Sequence, residues 1–268
     1  MDKPRSVEDC QTAPRPIAAL ATEHADGEHI APHRHVRAQL IHAVTGVMTV
    51  VGASGSWVVP TGRAVWMPAQ AEHQIRIAGD VAMRTVFVDA RARPGMPDRC
   101  EVIEVSPLLR EAIVAATTIA LDYAARSRDE RVMELILDEL DSAPRLALHV
   151  PLPLDARLRR ACERIIAAPA RTPALDALAR SLHMSGRTLA RAFQREVGMS
   201  YAAWLRRLRL LLSLQRLAAG ASVLEVALEH GYASPSAFSA MFRRELGVSP
   251  SGYLADAKHP RAAESERA

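Results

Sequence analysis

Two groups of side chains in this sequence have the types and spacing to do chemistry. Arg187, Arg191 and Gln194 lie within SGRTLARAFQREVGMSYAAWL, residues 185–205. On a 100° wheel they share one face, and Leu189, Ala192 and Phe193 share the opposite, apolar one. Long donors on the outward face of a helix reach base edges or phosphates in a major groove, and that is the chemistry this pattern offers. The second group is the H-x-H pair His33 and His35. On a strand both imidazoles point to the same side, which suits a divalent metal. No other acid-base cluster stands out in the chain, and this argues against an enzyme.

The segment around Arg187 occurs twice. It recurs 49 residues later as SPSAFSAMFRRELGVSPSGYL, residues 234–254, with seven identities in 21 positions. The unit is duplicated. Each copy reads as helix, tight turn, helix, the geometry of a helix-turn-helix. In copy one Thr172 caps and Pro173 takes the first helical position, and in copy two Ser222 and Glu225 form an S-x-x-E capping box. The turns fall at His183-Met184 and Gly231-Tyr232, and the second helices start from Ser185 and from Ser234 with Pro235 behind it. In copy two Phe238, Met241 and Phe242 face inward, leaving Ser236, Ala240 and Arg243 outward. Its outer face is shorter and poorer in donors than that of copy one.

Between the copies YAAWLRRLRLLLSLQRLAAG reads as a helix of about five turns ended by Gly220. Its leucines form a broad buried stripe, and Arg206, Arg207 and Arg209 crowd its start. Those arginines either touch phosphates or form a solvated helix face. Two recognition helices held by such a spacer in successive major grooves must sit about 34 Å apart, and straight DNA has to bend if they do not.

Charge is distributed in the same sense. Over residues 1–151 there are 16 Lys and Arg against 20 Asp and Glu, a net of −4, whereas 152–268 carry 18 against 10, a net of +8. A phosphate-binding module joined to one with another task has this asymmetry. The 49% hydrophobic and 24% charged residues describe an ordinary globular protein, and 268 residues suffice for two cores. Cys10, Cys100 and Cys162 are odd in number, widely spaced and outside any ligand pattern, which favours a reducing cytoplasm over a disulfide framework. Neither a signal-peptide core nor an apolar run of membrane-spanning length is present, so a cytoplasmic protein with no membrane partner is expected, nucleoid-associated when bound to DNA.

Upstream, short runs rich in Val, Ile, Leu and Thr at 39–51, 55–59, 64–67, 73–77 and 82–88 alternate with turn residues at Gly46, Gly52, Pro60-Thr61-Gly62, Pro68-Ala69 and Gly79-Asp80. This spacing predicts a small antiparallel barrel or sandwich. After Pro107 the period becomes helical over 108–125 and 129–140. These two helices either cap the barrel or pair subunits.

The last hundred residues resemble the DNA-binding domain of the AraC/XylS family, whose second-copy signature is visible as ALEHGYASPSAFSAMFRRELGVSPSGYL. The resemblance implies base contact by Arg187, Ala190 and Arg191, and Ala190 and Ala240 depart from the polar or basic residues common at those positions. Residues 27–89 resemble the cupin-like barrel that many members carry. In metal-binding cupins a first motif supplies two histidines and a glutamate and a second supplies another histidine. Here His33, His35 and His73 stand at those places, with Gln39 in place of the glutamate. Three imidazoles and an amide make a less charged site than one with a carboxylate. It either holds a divalent ion or is a relic inside a barrel that binds an organic effector or nothing, and His29 and His42 read as ordinary residues.

The expected architecture is α+β in two domains: a small antiparallel β-barrel plus helices, then an all-α domain with two helix-turn-helix motifs joined by a long helix. The expected divisions are a flexible arm at 1–26, a cupin-like sensor barrel at 27–100, a helical dimerisation or linker region at 101–150, the DNA-binding domain at 152–257 and a disordered tail at 258–268. The expected function is sequence-specific transcription regulation. DNA contacts fall to Arg187, Ala190, Arg191, Gln194, Ser236, Ala240, Arg243, Arg206 and Arg207. Expected partners are double-stranded DNA, a second subunit held through 108–140, a small-molecule or metal effector, and RNA polymerase for an activator. Two other readings remain open: a cupin metal oxygenase or isomerase fused to a DNA-binding domain, and an architectural DNA-binding protein with an inert barrel.

Overall fold

The computed structural model describes residues 5–146, 148–168 and 171–253. These fall into two units, one formed by residues 5–52 and 57–146 and the other by 53–56 and 148–253.

In the first unit the turn-punctuated runs form strands β1 (Ile17–His24), β2 (His29–His33), β3 (Ala38–Ala43), β4 (Val47–Gly52), β5 (Gly55–Pro60), β6 (Arg63–Met67), β7 (His73–Ala78), β8 (Val81–Val88), β9 (Glu101–Glu104) and β10 (Arg145–Leu146). One antiparallel sheet runs β1-β8-β3-β6-β9-β10 and another contains β5-β4-β7-β2. The arrangement is two jelly-roll-like sheets, where the turn spacing alone allowed a closed barrel. Gly46 at φ 72° makes the β3–β4 turn, and a Cβ there would collide with the Asp80 carbonyl and the Val81 side chain. Strand alternation then sorts the faces. Leu40, Ala64, Trp66, Val86, Val88 and Ile103 join one core cluster, and their neighbours Gln39, Ile41, Met67, Thr85 and Phe87, also buried, take the other face.

That core is completed by α2 (Pro107–Ala116) and α3 (Arg128–Ser142), capped by Ser106 and Ser127. Leu109, Ile113, Met133, Ile136, Leu137 and Leu140 are all buried in it. Each such side chain contributes about 1.5–3 kcal/mol on leaving water. The apolar stripes that suggested a subunit interface through 108–140 are therefore covered by the chain's own sheet. The outer face of α3 is ionic, with Glu134, Asp138 and Asp141 all paired to Arg93.

Several sequence expectations need correction. The arm expected over 1–26 contains α1 (Val7–Gln11), closed by a Ser6/Asp9 capping box, and the whole of β1. Arg5 donates to the carbonyls of Ala19, Thr117 and Ile119, and Arg37 donates to those of Ala13 and Arg15, so the segment is tied down from both sides. The region 101–150 is not wholly helical, since it includes β9 and β10. The helix expected over 108–125 stops at Ala116, where the Thr117 and Thr118 hydroxyls turn back to the Val114 and Ala115 carbonyls at 2.7 and 2.9 Å. Ile119 and Tyr123 then enter the same core from a loop. The tail expected at 258–268 and Leu254 of the repeat lie outside the described residues.

The second unit is formed by β11 (His149–Pro151), α4 (Ala156–Ala167), α5 (Leu175–Ser181), α6 (Gly186–Val197), α7 (Tyr201–Ala218), α8 (Val223–Glu229) and α9 (Pro235–Leu246). Among the described residues no helix is long and apolar enough to cross a membrane. Trp204, fully buried on α7, donates to the Pro151 carbonyl at 2.8 Å and stands edge-on to Phe193 of α6. This fixes α6 against the spacer helix.

Candidate nucleic-acid interface and histidine cluster

The two helix-turn-helix copies share one backbone design. After α5 the chain turns at His183, with the Met184 N–H reaching back to the Ala179 carbonyl. After α8 it turns at Gly231, with the Tyr232 N–H reaching the Ala227 carbonyl, and both bonds are 2.9 Å. Each is a C-terminal helix cap with its turning residue in the left-handed region, at φ 56° for His183 and 74° for Gly231. The Ser185 and Ser234 hydroxyls accept from the N–H groups of Thr188 and Ala237 and start α6 and α9. Both helices end on a left-handed glycine, Gly198 or Gly247. The Ser222/Glu225 capping box of copy two is present. In copy one α5 begins later than expected, from Ala174 with no side-chain cap bond. Pro173 instead offers its carbonyl to the Tyr201 hydroxyl at 2.8 Å.

Faces follow the wheel. Leu189 and Phe193 in α6 and Phe238, Met241 and Phe242 in α9 are buried. Arg187, Ala190, Arg191 and Gln194 are exposed, as are Ser236, Ala240 and Arg243. On α7 Arg206 is exposed and Arg207 half-buried. Among the described residues the side chains of Arg187, Arg191 and Gln194 make no hydrogen bond or ion pair. Three other arginines of these helices are engaged: Arg195 with Glu196, Arg244 with Glu245, and Arg216 in a two-bond pair with Glu229 at 2.6 and 2.8 Å. Among the described residues nothing takes up the donors of the outward arginines of α6.

In the first unit His33 and His73 face each other across the β2–β7 pair, just beyond a register shift between Ile30 and His33. His35 lies past the end of β2, so the pair does not share a strand as H-x-H alone would suggest. It still joins them: ring centroids are 4.4 Å apart for His33 and His73, 4.7 Å for His33 and His35, and 5.6 Å for His35 and His73. One nitrogen of each lies within 4.8 Å of the others.

Protonation states favour donation of lone pairs. The Nδ1 atoms of His33 and His73 lie 2.7 and 2.9 Å from the carbonyls two residues upstream, at Ala31 and Ala71. Each Nδ1 therefore carries the hydrogen, and the free lone pair is on Nε2. This outer bond is the one that orients metal-binding imidazoles. Burial, reinforced by the other two rings, pushes His35 down to about 4, and burial lowers His73 as well, so both are neutral near pH 7. The Nε2 of His73 is buried without a hydrogen-bond partner, and so is the Oε1 of Gln39, a residue only 5% exposed. Buried acceptors without donors are costly unless something satisfies them. An ion held by the three ring nitrogens would satisfy the His73 Nε2. The residues present fit a divalent ion.

Two of the residues read as ordinary are placed differently. His29 is exposed and bonded to Gln74 at 2.9 Å, whereas His42 is fully buried, with Nδ1 on the Arg63 carbonyl and Nε2 unpartnered. Strand parity distinguishes His42, since residues 39 and 42 take opposite faces of β3. The carbonyls of Ala31 and Ala71 that orient the triad have no side-chain signal in the sequence.

A cupin domain family matches residues 22–89, and a helix-turn-helix domain family matches residues 178–256. The transcriptional regulator NimR of Escherichia coli strain K12 is 33% identical over 223 residues, spanning 83% of this chain and 81% of that protein. Among solved structures, the DNA-binding domain of AdpA in complex with a target DNA is 32% identical and aligns with 38% of this chain and 96% of its own, with a TM-score of 0.35. ToxT of Vibrio cholerae strain SCE256, bound to an unsaturated fatty acid, is 13% identical over 89% of this chain and 94% of its own, with a TM-score of 0.37. Duplicated helix-turn-helix units behind a cupin domain, together with the extent of the match to NimR, show that this chain belongs to the AraC/XylS family of helix-turn-helix transcriptional regulators.

Proposed function

We propose that α6 reads an operator sequence, α9 anchors the second half of the contact, and the histidine cluster of the first unit holds the divalent ion that controls binding. The observation that carries the reading is that Arg187 and Arg191 are exposed, share a face and make no side-chain hydrogen bond or ion pair among the described residues, while Arg195, Arg216 and Arg244 are paired. A guanidinium in a major groove makes two parallel bonds to guanine O6 and N7. In α9 the corresponding side chains Ser236 and Ala240 reach less far, and Arg243 suits a phosphate.

At the sensor, His33, His35 and His73 would hold the ion through ring nitrogens, with the Gln39 amide oxygen as a fourth donor. When bound, the ion supplies a positive charge that satisfies the two orphaned acceptors and ties β2, β7 and the segment after β2 together. An imidazole that ligates an ion brings no charge of its own, so the site discriminates by geometry and donor type. Binding shifts the protein between states of different operator affinity, to the extent that the two states differ in their hold on the ion.

Nuclease footprinting at the gene's own upstream region, with metal analysis of the same purified protein, tests this. The wild type is expected to protect a discrete site at a concentration that shifts on chelation. His73→Gln is expected to be locked at the chelated value. Protection indifferent to both would remove the metal from the account.

A further inference from the structure

Arginines of the first unit mostly sit against carboxylates: Arg63 with Glu104, Arg84 with Glu23, Arg91 with Asp89, Arg99 with Glu101, and Arg93 with three acids. Helix α4, ARLRRACERIIA, departs from that habit. Its apolar residues Leu158, Ala161, Cys162 and Ile165 are buried. Arg160 and Arg164, four residues apart and so on one face, are exposed, and Arg171 is exposed just beyond the helix. None of the three makes a side-chain hydrogen bond or ion pair among the described residues, although Glu163 stands close in sequence and is taken by Arg159 at 3.1 Å.

This face is joined to the candidate interface. Arg157, on the first turn of α4, donates to the Leu182 carbonyl at 2.6 Å, one residue before the turn that leads into α6. The Asp155 N–H, at the cap of α4, donates to Glu196 near the end of α6 at 3.3 Å. Helix α4 is thus bonded to both flanks of the helix that carries Arg187 and Arg191. Two guanidiniums on this helix and a third just beyond it, without a partner among the described residues, favour a polyanion alongside.

We infer that Arg160, Arg164 and Arg171 form a phosphate clamp that extends the DNA contact of the first helix-turn-helix along the backbone without reading bases. The inference rests on the DNA-reading assignment above, and its occupant is the sugar-phosphate backbone of the same duplex. Each neutralised phosphate releases condensed counterions and adds about 0.9 to the slope of log affinity against log salt. Three contacts therefore account for a slope of about 2.7.

The test uses the full chain and a fluorescent duplex of arbitrary sequence, titrated over a series of potassium chloride concentrations. Arg160→Gln/Arg164→Gln/Arg171→Gln is expected to lower the slope by about 2.7, the Lys triple variant to keep it, and Arg34→Gln/Arg76→Gln in the first unit to leave it unchanged. A wild type that binds with a steep slope that the Gln variant retains would overturn the clamp and leave the DNA-reading assignment standing. A slope lost equally in the Lys variant would also overturn it, since charge would not be the cause. A wild type with no salt-dependent binding would remove both.

Discussion

Gln39→Glu separates a metal site from a merely buried polar cluster. Gln39 is 5% exposed, its Oε1 has no donor, and the rings at the cluster include two held neutral by burial. Without an ion, a carboxylate in that place has no cation to face. Burial of this kind raises a glutamate by about 3 units or more, and at 1.36 kcal/mol per unit the ionised form is disfavoured by roughly 4 kcal/mol. Because the group can protonate instead, the loss of stability near pH 7 has a ceiling of roughly that size. With a divalent ion present the same carboxylate becomes a ligand and the penalty vanishes. Urea unfolding of wild type and variant, each in chelator and in excess zinc, reads the difference. The variant is expected to be less stable by roughly 2–4 kcal/mol in chelator and within about 1 kcal/mol of the wild type in zinc. A penalty of equal size in both conditions would refute the reasoning, because no cation would then approach residue 39.

Two further outcomes follow from buried or strained groups. His183 holds φ 56° where copy two has Gly231, so His183→Gly is expected to stabilise the second unit by about 1 kcal/mol, read as a rise in its urea midpoint. His42 is pushed down to about 4 by burial, partly opposed by its bond to the Arg63 carbonyl. The unfolded chain, titrating near 6.5, binds this proton first, so stability should fall as pH drops from about 6.5 to 4 and level off below. The loss approaches about 3 kcal/mol and should be reduced in His42→Asn, as measured by unfolding at each pH.

The legible parts of the fold were those with local chemistry. Strands β3 to β8 follow from β-branched runs cut by Gly and Pro, and α6 and α9 from apolar periodicity with serine caps. The polar residues and prolines of 1–26 suggest an arm and hide strand β1, IAALATEH, whose place comes from pairing along its whole length with β8. The apolar pattern runs past the end of helix α2 because Ile119 and Tyr123 serve the same core from a loop. The outward face of α6 was legible because period and polarity agree. The triad was half legible: His33 and His35 announce themselves, whereas His73 and Gln39 came only with the cupin resemblance, since it is strand pairing that brings His73 opposite His33. The unpaired state of Arg160, Arg164 and Arg171 could not be read at all, because a carboxylate's neighbours in sequence do not say which arginine takes it.

The central claim, that α6 reads sequence, is tested most directly by comparing Arg187→Ala and Arg191→Ala with wild type on the footprinted operator and on a scrambled duplex at one salt concentration. Each substitution is expected to cost about 1–3 kcal/mol on the operator and much less on the scrambled duplex, with preference relaxed at one base pair. An operator affinity left unchanged, or one that falls equally on both duplexes, would contradict the account.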